Sequence, residues 1–293
     1  MIRYLAAAIV AFSIVSPLPA QTGRDDLEFK WSKQLGPGAA LVIRNPSGPI
    51  TVRQATGDRV EISAVKRLRG RTRASDIGFD VRESGNQVEV CALFGDQESC
   101  SDRGARSSDN VRASVEFTVL LPRTARLRVG TGNGAIAIER AGSEVSAATG
   151  NGEIDIGETT GRVDASTGNG DVKVAGANGP VNVSTGNGRV FVRTARGGVG
   201  ASTGNGDVDV SIGALPVEAD MKFSTGSGSI RIALPSEFNG RIDATTGNGS
   251  LRSDFDIAVV GRLDAHHVRG TIGSGGPLLR LVTGNGVIEL RKN

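Results

Sequence analysis

The chain has 293 residues, 42 of them glycine, with only 4% aromatic residues and a formal net charge of +3. Its 34 basic and 31 acidic residues read as interspersed, which excludes the basic stripe expected of a nucleic-acid binder. Glycine this abundant would suggest a flexible linker if it were scattered, but it recurs at fixed positions, and that excludes a linker.

Residues 1–20 have the layout of a secretory signal peptide. Arg3 supplies the positive start, Leu5 to Val15 the apolar run, and Pro17-Leu18-Pro19-Ala20 a cleavage region, with the cut expected near Ala20. The run is too short to span a bilayer, and no later stretch is apolar enough to do so as a helix. No cysteine follows it, so a lipid anchor is not expected. The mature chain, 21–293, is expected to be periplasmic or secreted, with an excess of about two positive charges.

Residues 21–120 read as irregular N-terminal coils. Leu41, Ile43, Ile50 and Val52 alternate around a turn, Asn45-Pro-Ser-Gly48. Phe79, Val81, Val88 and Val90 fit the same spacing around Ser84-Gly-Asn86. Cys91 and Cys100 bracket a short stretch, and in an exported chain such a pair is expected to form a disulfide. It would tie down the polar loop 95–110. With no histidine nearby, a metal site is not expected there.

Residues 121–293 carry the regular repeats. Thr-Gly-Asn-Gly starts at Thr131, Thr149, Thr167, Thr185, Thr203, Thr246 and Thr283, and Thr225 begins a copy with Ser227 in place of asparagine. The first five are 18 residues apart, the signature of a solenoid. On either side, apolar and polar residues alternate: Val163 and Ala165 before one turn, Val172 and Val174 after it. That is two short strands joined by a tight turn. Glycine would supply positive φ there, and asparagine would tolerate it.

Units starting at Leu127, Val145, Val163, Val181, Val199, Met221, Ile242, Leu263 and Leu279 predict inward residues nine positions on. Ile136, Ile154, Val172, Val190, Val208, Ile230, Leu251, Ile272 and Ile288 satisfy this. Two positions further on, only Ser253 and Ser274 break the pattern. The expected fold is an all-β, single-domain parallel β-solenoid with two strands per coil. About eleven coils would give a rod roughly 50 Å long. Stacking would bring Asp155 to Lys173, Asp171 to Arg189 and Arg189 to Asp207. A left-handed hexapeptide helix is excluded, because steps of six from Val163 fall on Asn169 and Ala175.

The repeated polar residues point to structure before chemistry. The threonines share the inward phase, which argues against an ice-binding row, and the asparagines are placed to form an amide ladder. No helix follows the glycine strings, so they lack the helix N-terminus of a phosphate loop. A calcium-binding nonapeptide pattern is missing, and no cofactor is expected. Two departures remain as candidate surface-binding sites. His266 and His267, with Arg269, replace one turn, with Asp264 as the only acid close in sequence. Phe191 is expected to point outward between Arg189 and Arg193.

Three stretches resemble the bacterial "putative adhesin" family of β-strand-repeat proteins, a domain of unknown function. They are Ala40 to Val52 with Val60 to Arg67, Leu121 to Val129, and Gly270 to Leu290. The resemblance implies a β-solenoid at the cell envelope and brings no catalytic residues. The leading functional expectation is a non-enzymatic binding, adhesion or structural scaffold with an unidentified protein or glycan ligand. The alternatives are an envelope-stress or signalling accessory and, third, a polysaccharide-acting β-helix enzyme, which would require paired carboxylates in a cleft.

Overall fold

A computed structural model describes residues 24–99, 111–194, 198–214, 219–259 and 266–293. Two facing sheets, one of 12 strands and one of 13, run the length of a parallel β-solenoid. Each regular coil places its first strand in the larger sheet and its second in the smaller. The 18-residue period fixes the register: Val145 lies over Val163, Thr149 over Thr167, Asn151 over Asn169 and Ile154 over Val172.

Because the side-chain period is two, this register sends alternate residues of the first strand inward together, as with Val163, Ala165 and Thr167. Val163, Ala165, Val172 and Val174 are all at most 4% exposed. One cluster of buried residues runs from Phe29 to Leu290. Each fully buried valine or isoleucine contributes about 1.5–3 kcal/mol, so stability accumulates by coil. A further inward row at the second corner escaped the sequence template: Ala141, Thr159, Ala177, Thr194, Ile212 and Leu234 are all buried.

The N-terminal third follows a different path. Strands β1 (Glu28–Gln34), β2 (Ala40–Ser47), β3 (Ile50–Gln54) and β4 (Arg59–Leu68) are followed by β5 (Ile77–Ser84), β6 (Gln87–Phe94) and β7 (Ala113–Leu121). β2 and β3 form a coil as expected, with Leu41 over Leu127 and Ile50 over Ile136. The segment from Phe79 to Val90 does not. β5 and β6 are an antiparallel hairpin within one sheet, pairing Phe79 with Ala92 and Val81 with Val90. The reason is its two-residue loop: Gly85 has φ 55°, which turns the chain back beside itself instead of across to the other sheet. β6 and β7 then stack on β2 and β3, while β4 and β1 add antiparallel strands outside β7.

The C-terminal end also departs from a simple stack. The Thr283 coil (Leu278–Asn285, Ile288–Lys292) is inserted between the Thr225 coil (Met221–Ser227, Ile230–Leu234) and the Thr246 coil (Gly240–Asn248, Leu251–Ser253). Ser253 gives one reason. An inner coil with serine at this inward position would bury a hydroxyl between Ile232 and Leu290, whereas the last coil leaves Ser253 exposed. Charge gives another: Glu289 pairs in register with Arg231 on one side and Arg252 on the other, and direct stacking would oppose two arginines.

The coil expected at Leu263 and Ile272 is not formed. Leu263 and Asp264 lie outside the described residues, and His267–Ile272 runs antiparallel to both Gly240–Asn248 and Ile257–Val259. Antiparallel strands thus cap the stack at both ends, and the exposed edges are short or charged, which discourages further pairing. Among the described residues, no helix is long and apolar enough to cross a membrane.

Candidate functional site

The conspicuous repeat residues hold the backbone. Each turn threonine donates its hydroxyl to the carbonyl of the turn glycine one coil away: Thr167 to Gly152 at 2.9 Å, Thr185 to Gly170 at 2.8 Å, Thr203 to Gly188 at 2.9 Å. The asparagines form the expected ladder, Nδ2 to Oδ1, from Asn205 to Asn187, Asn169, Asn151 and Asn133 at 2.7–2.8 Å. No asparagine among the described residues has positive φ; that conformation belongs to glycine alone. Asparagine is therefore at the turn for its amide, which meets its neighbours across the stack, and not for tolerance of a left-handed backbone.

Outward rows are tied by ion pairs between coils. Asp155 meets Lys173 at 3.4 Å and Asp171 meets Arg189 at 3.0 Å. The third expected contact forms differently: Asp207 pairs with Arg231 at 3.0 Å, and Arg189 keeps to Asp171. A hydrogen bond from the Ser229 amide, followed by the Arg231 guanidinium, holds the Asp207 carboxyl below its ordinary range against the opposing effect of burial. The Asp207 and Asp171 carboxylates are anchored by backbone amides as well as by arginine. They act as struts between coils.

Phe191 does point outward, at 37% exposed, and the Arg193 guanidinium sits 5.8 Å from its ring centre. The structure brings these two together, while Arg189 is held away by Asp171. Lys173 and Asp209 flank Phe191 in the neighbouring coils. This is a small aromatic spot on an otherwise polar face.

His266, His267 and Arg269 sit at the C-terminal cap. His267 Nε2 lies 2.9 Å from Asp243 Oδ1, and Arg269 Nε lies 3.5 Å from the same oxygen. Burial acts to raise the Asp243 carboxyl, but His267 and Arg269 outweigh it and hold it low. The His266 carbonyl accepts the Thr246 amide at 2.9 Å. The acid that gathers this group is Asp243, brought over by antiparallel pairing that sequence distance concealed. Among the described residues, no cluster of three or more histidine, cysteine, aspartate or glutamate side chains is placed to hold a metal ion. Cys91 is buried, and Cys100 lies outside the described residues.

One group was passed over in the sequence. Lys66-Arg-Leu-Arg-Gly-Arg-Thr-Arg73 is a basic run, and reading charge as evenly interspersed hid it. It leaves β4 through a tight turn packed on the start of β7: the Arg69 amide donates to the Arg112 carbonyl, and the Arg112 amide donates to the Thr72 hydroxyl, both at 2.9 Å. Lys66 itself is 4% exposed, donating to the carbonyls of Arg24 and Ala74 above the Phe79 ring. A count of arginines over eight residues would have found it.

Residues 39–291 match the family model described as Toastrack DUF4097. No curated protein matches the chain. Among solved structures, a putative adhesin from Parabacteroides merdae is similar at 12% identity and a TM-score of 0.41, covering 90% of this chain and 95% of its own. A putative adhesin from Bacteroides fragilis has 10% identity and a TM-score of 0.30, covering 94% and 99%. A putative cell adhesion protein from Clostridium sporogenes has 12% identity and a TM-score of 0.28, covering 91% and 100%.

Proposed function

The chain belongs to the Toastrack DUF4097 family, and from that premise we propose that it is a non-enzymatic binding and scaffold module of the cell envelope. The observation that carries this reading is the outer face of the 13-stranded sheet. Parallel register aligns Ala148, Ser166, Ser184, Ser202 and Ser224 in one row, and Ser146, Asp164 and Asn182 in the next. Small side chains in register make a long, nearly flat surface, the shape that docks an extended ligand. The central acids that an enzyme would need are held by arginine, lysine and backbone amides.

In this reading, residues 1–20 are removed near Ala20 and the single domain 21–293 works outside the cytoplasm, with Cys91 and Cys100 bridged. Phe191 with Arg193, and His267 with Arg269 at the cap, supply further contacts for a protein or glycan ligand.

Crosslinking of the mature chain in intact envelopes, followed by pulldown, tests the reading. The native chain is expected to recover a reproducible partner, and Ser184→Trp with Ser202→Trp, which raise rings across the flat rows, should lose it while melting normally. Recovery of no reproducible partner, or of the same partner by the double variant, would overturn the proposal.

A further inference from the structure

Many charges in the middle of the molecule meet an opposite charge in a neighbouring coil, whereas one corner gathers several cations. At the N-terminal end, Arg69, Arg71, Arg73 and Arg112 are all exposed. The turn that carries them is tightly built. Gly70 has φ 65°, the Thr72 amide reaches the Arg69 carbonyl, and Arg112 is bonded through its backbone to both Arg69 and Thr72. Four exposed arginines therefore sit on one short corner whose backbone is hydrogen-bonded.

The nearby acids are engaged in other ways. Glu116 pairs with Arg67 at 2.8 Å, and Asp76 accepts the Arg73 amide at 2.7 Å. Asp25 and Asp26 act on the buried Lys66. None of the four arginines has an ion-pair partner among the described residues. Like charges crowded together destabilise a fold slightly, so a corner of this kind gains by meeting an anion.

We propose that this corner is a docking surface for the phosphate groups of an anionic lipid surface. Three observations select that partner. The cations are arginines, whose forked donors match phosphate oxygens in pairs. Nucleic acid would be expected to find exposed rings for base stacking, but Phe79 is stacked on Phe29 at 4.4 Å and Phe94 is 1% exposed. Leu27, at 53% exposed, lies beside the run, its carbonyl accepting the Lys66 amide. An exposed leucine at the start of the basic run suits the boundary between headgroups and acyl chains. The rod would then meet the membrane at its N-terminal end and leave its long faces free. The proposal uses none of the flat-face residues, so it stands or falls separately from the reading above.

Flotation of the mature chain with phosphatidylcholine vesicles, with or without phosphatidylglycerol, is the test. Binding is expected only to the anionic vesicles and should weaken as salt is raised. Each arginine near such a surface is worth about fivefold in affinity, so R69Q/R71Q/R73Q/R112Q should bind at least about a hundredfold more weakly. Arg71→Gln alone, at an exposed turn position, should lose about fivefold and guards against a folding artefact. Removing charge elsewhere, with R128Q/K222Q/R280Q, should leave binding unchanged. Equal binding to neutral vesicles, or an unaffected quadruple variant, would overturn the proposal. So would displacement by inorganic phosphate alone, which would mark a free-anion site, or tighter binding to single-stranded RNA than to vesicles.

Discussion

Between Val145 and Ile212 the buried rows are valine, isoleucine, alanine and threonine, whereas both ends are closed with phenylalanine. Phe29 stacks on Phe79, which meets Phe117 edge-to-face, at one end, and Phe238 meets Phe255 edge-to-face at the other, with centroids 6.2 Å apart. A middle coil has a neighbour on each side, and small side chains in register cover one another. A terminal coil has no such cover. A ring that buries about 150–250 Å² closes more of the open row than a valine does. The outer surface differs in the same way. Asp155, Asp171 and Asp207 in the middle meet opposite charges one coil away, while the N-terminal corner leaves four arginines without an ion pair among the described residues. Periodic polar residues in this molecule maintain the stack, and the residues available for other work sit where the period fails.

The largest expected effect comes from the glycines. A Cβ on Gly188, which has φ 152°, would lie 2.1 Å from the Gly170 carbonyl oxygen. Gly188→Ala should cost at least about 3 kcal/mol. Gly85, in the N-terminal hairpin, has φ 55° and open space around it, so Gly85→Ala should cost only about 1–2 kcal/mol. Urea midpoints measure both, and equal losses would mean that backbone strain, not close stacking of coils, demands the turn glycine.

A smaller difference is expected from threonine. Thr185→Val keeps the shape but removes the donor to Gly170, at a cost of about 1 kcal/mol. Thr118 in β7 is exposed, and Thr118→Val should change stability by less than about 0.5 kcal/mol. Thermal melts of the pair would show whether the middle depends on its hydroxyl row.

The smallest effect repairs a gap. Ser227 interrupts the amide ladder between Asn205 and Asn285, its register neighbours on either side. Ser227→Asn should rejoin the two segments and add roughly 0.5 kcal/mol, read as a small rise in the urea midpoint. A loss of stability would show that the ladder needs a break where the coil order changes.

Much of the architecture was legible from residues alone. The alternation around each turn identified the strands, and the 18-residue spacing identified both the register and the Asp155–Lys173 and Asp171–Arg189 contacts. The candidate sites were less legible. Phe191 and Arg193 were close in sequence and meet in space, but His267 and Arg269 converge on Asp243, 24 residues from His267, through a pairing that no repeat announces. The arginine corner was present as a run and was hidden only by averaging charge over the whole chain.

By itself the sequence determined that this chain is a solenoid, which residues face its core, and which polar rows bind coil to coil. A period of two within strands and of 18 between coils leaves few other ways to bury those valines. Tertiary structure alone decided how the ends are made. The antiparallel caps and the insertion of the Thr283 coil inside the Thr246 coil depend on which coil lacks a neighbour. Several coils share one template, so local pattern cannot rank their order; Ser253 and the Glu289 column settle it only once coils compete for the same slot.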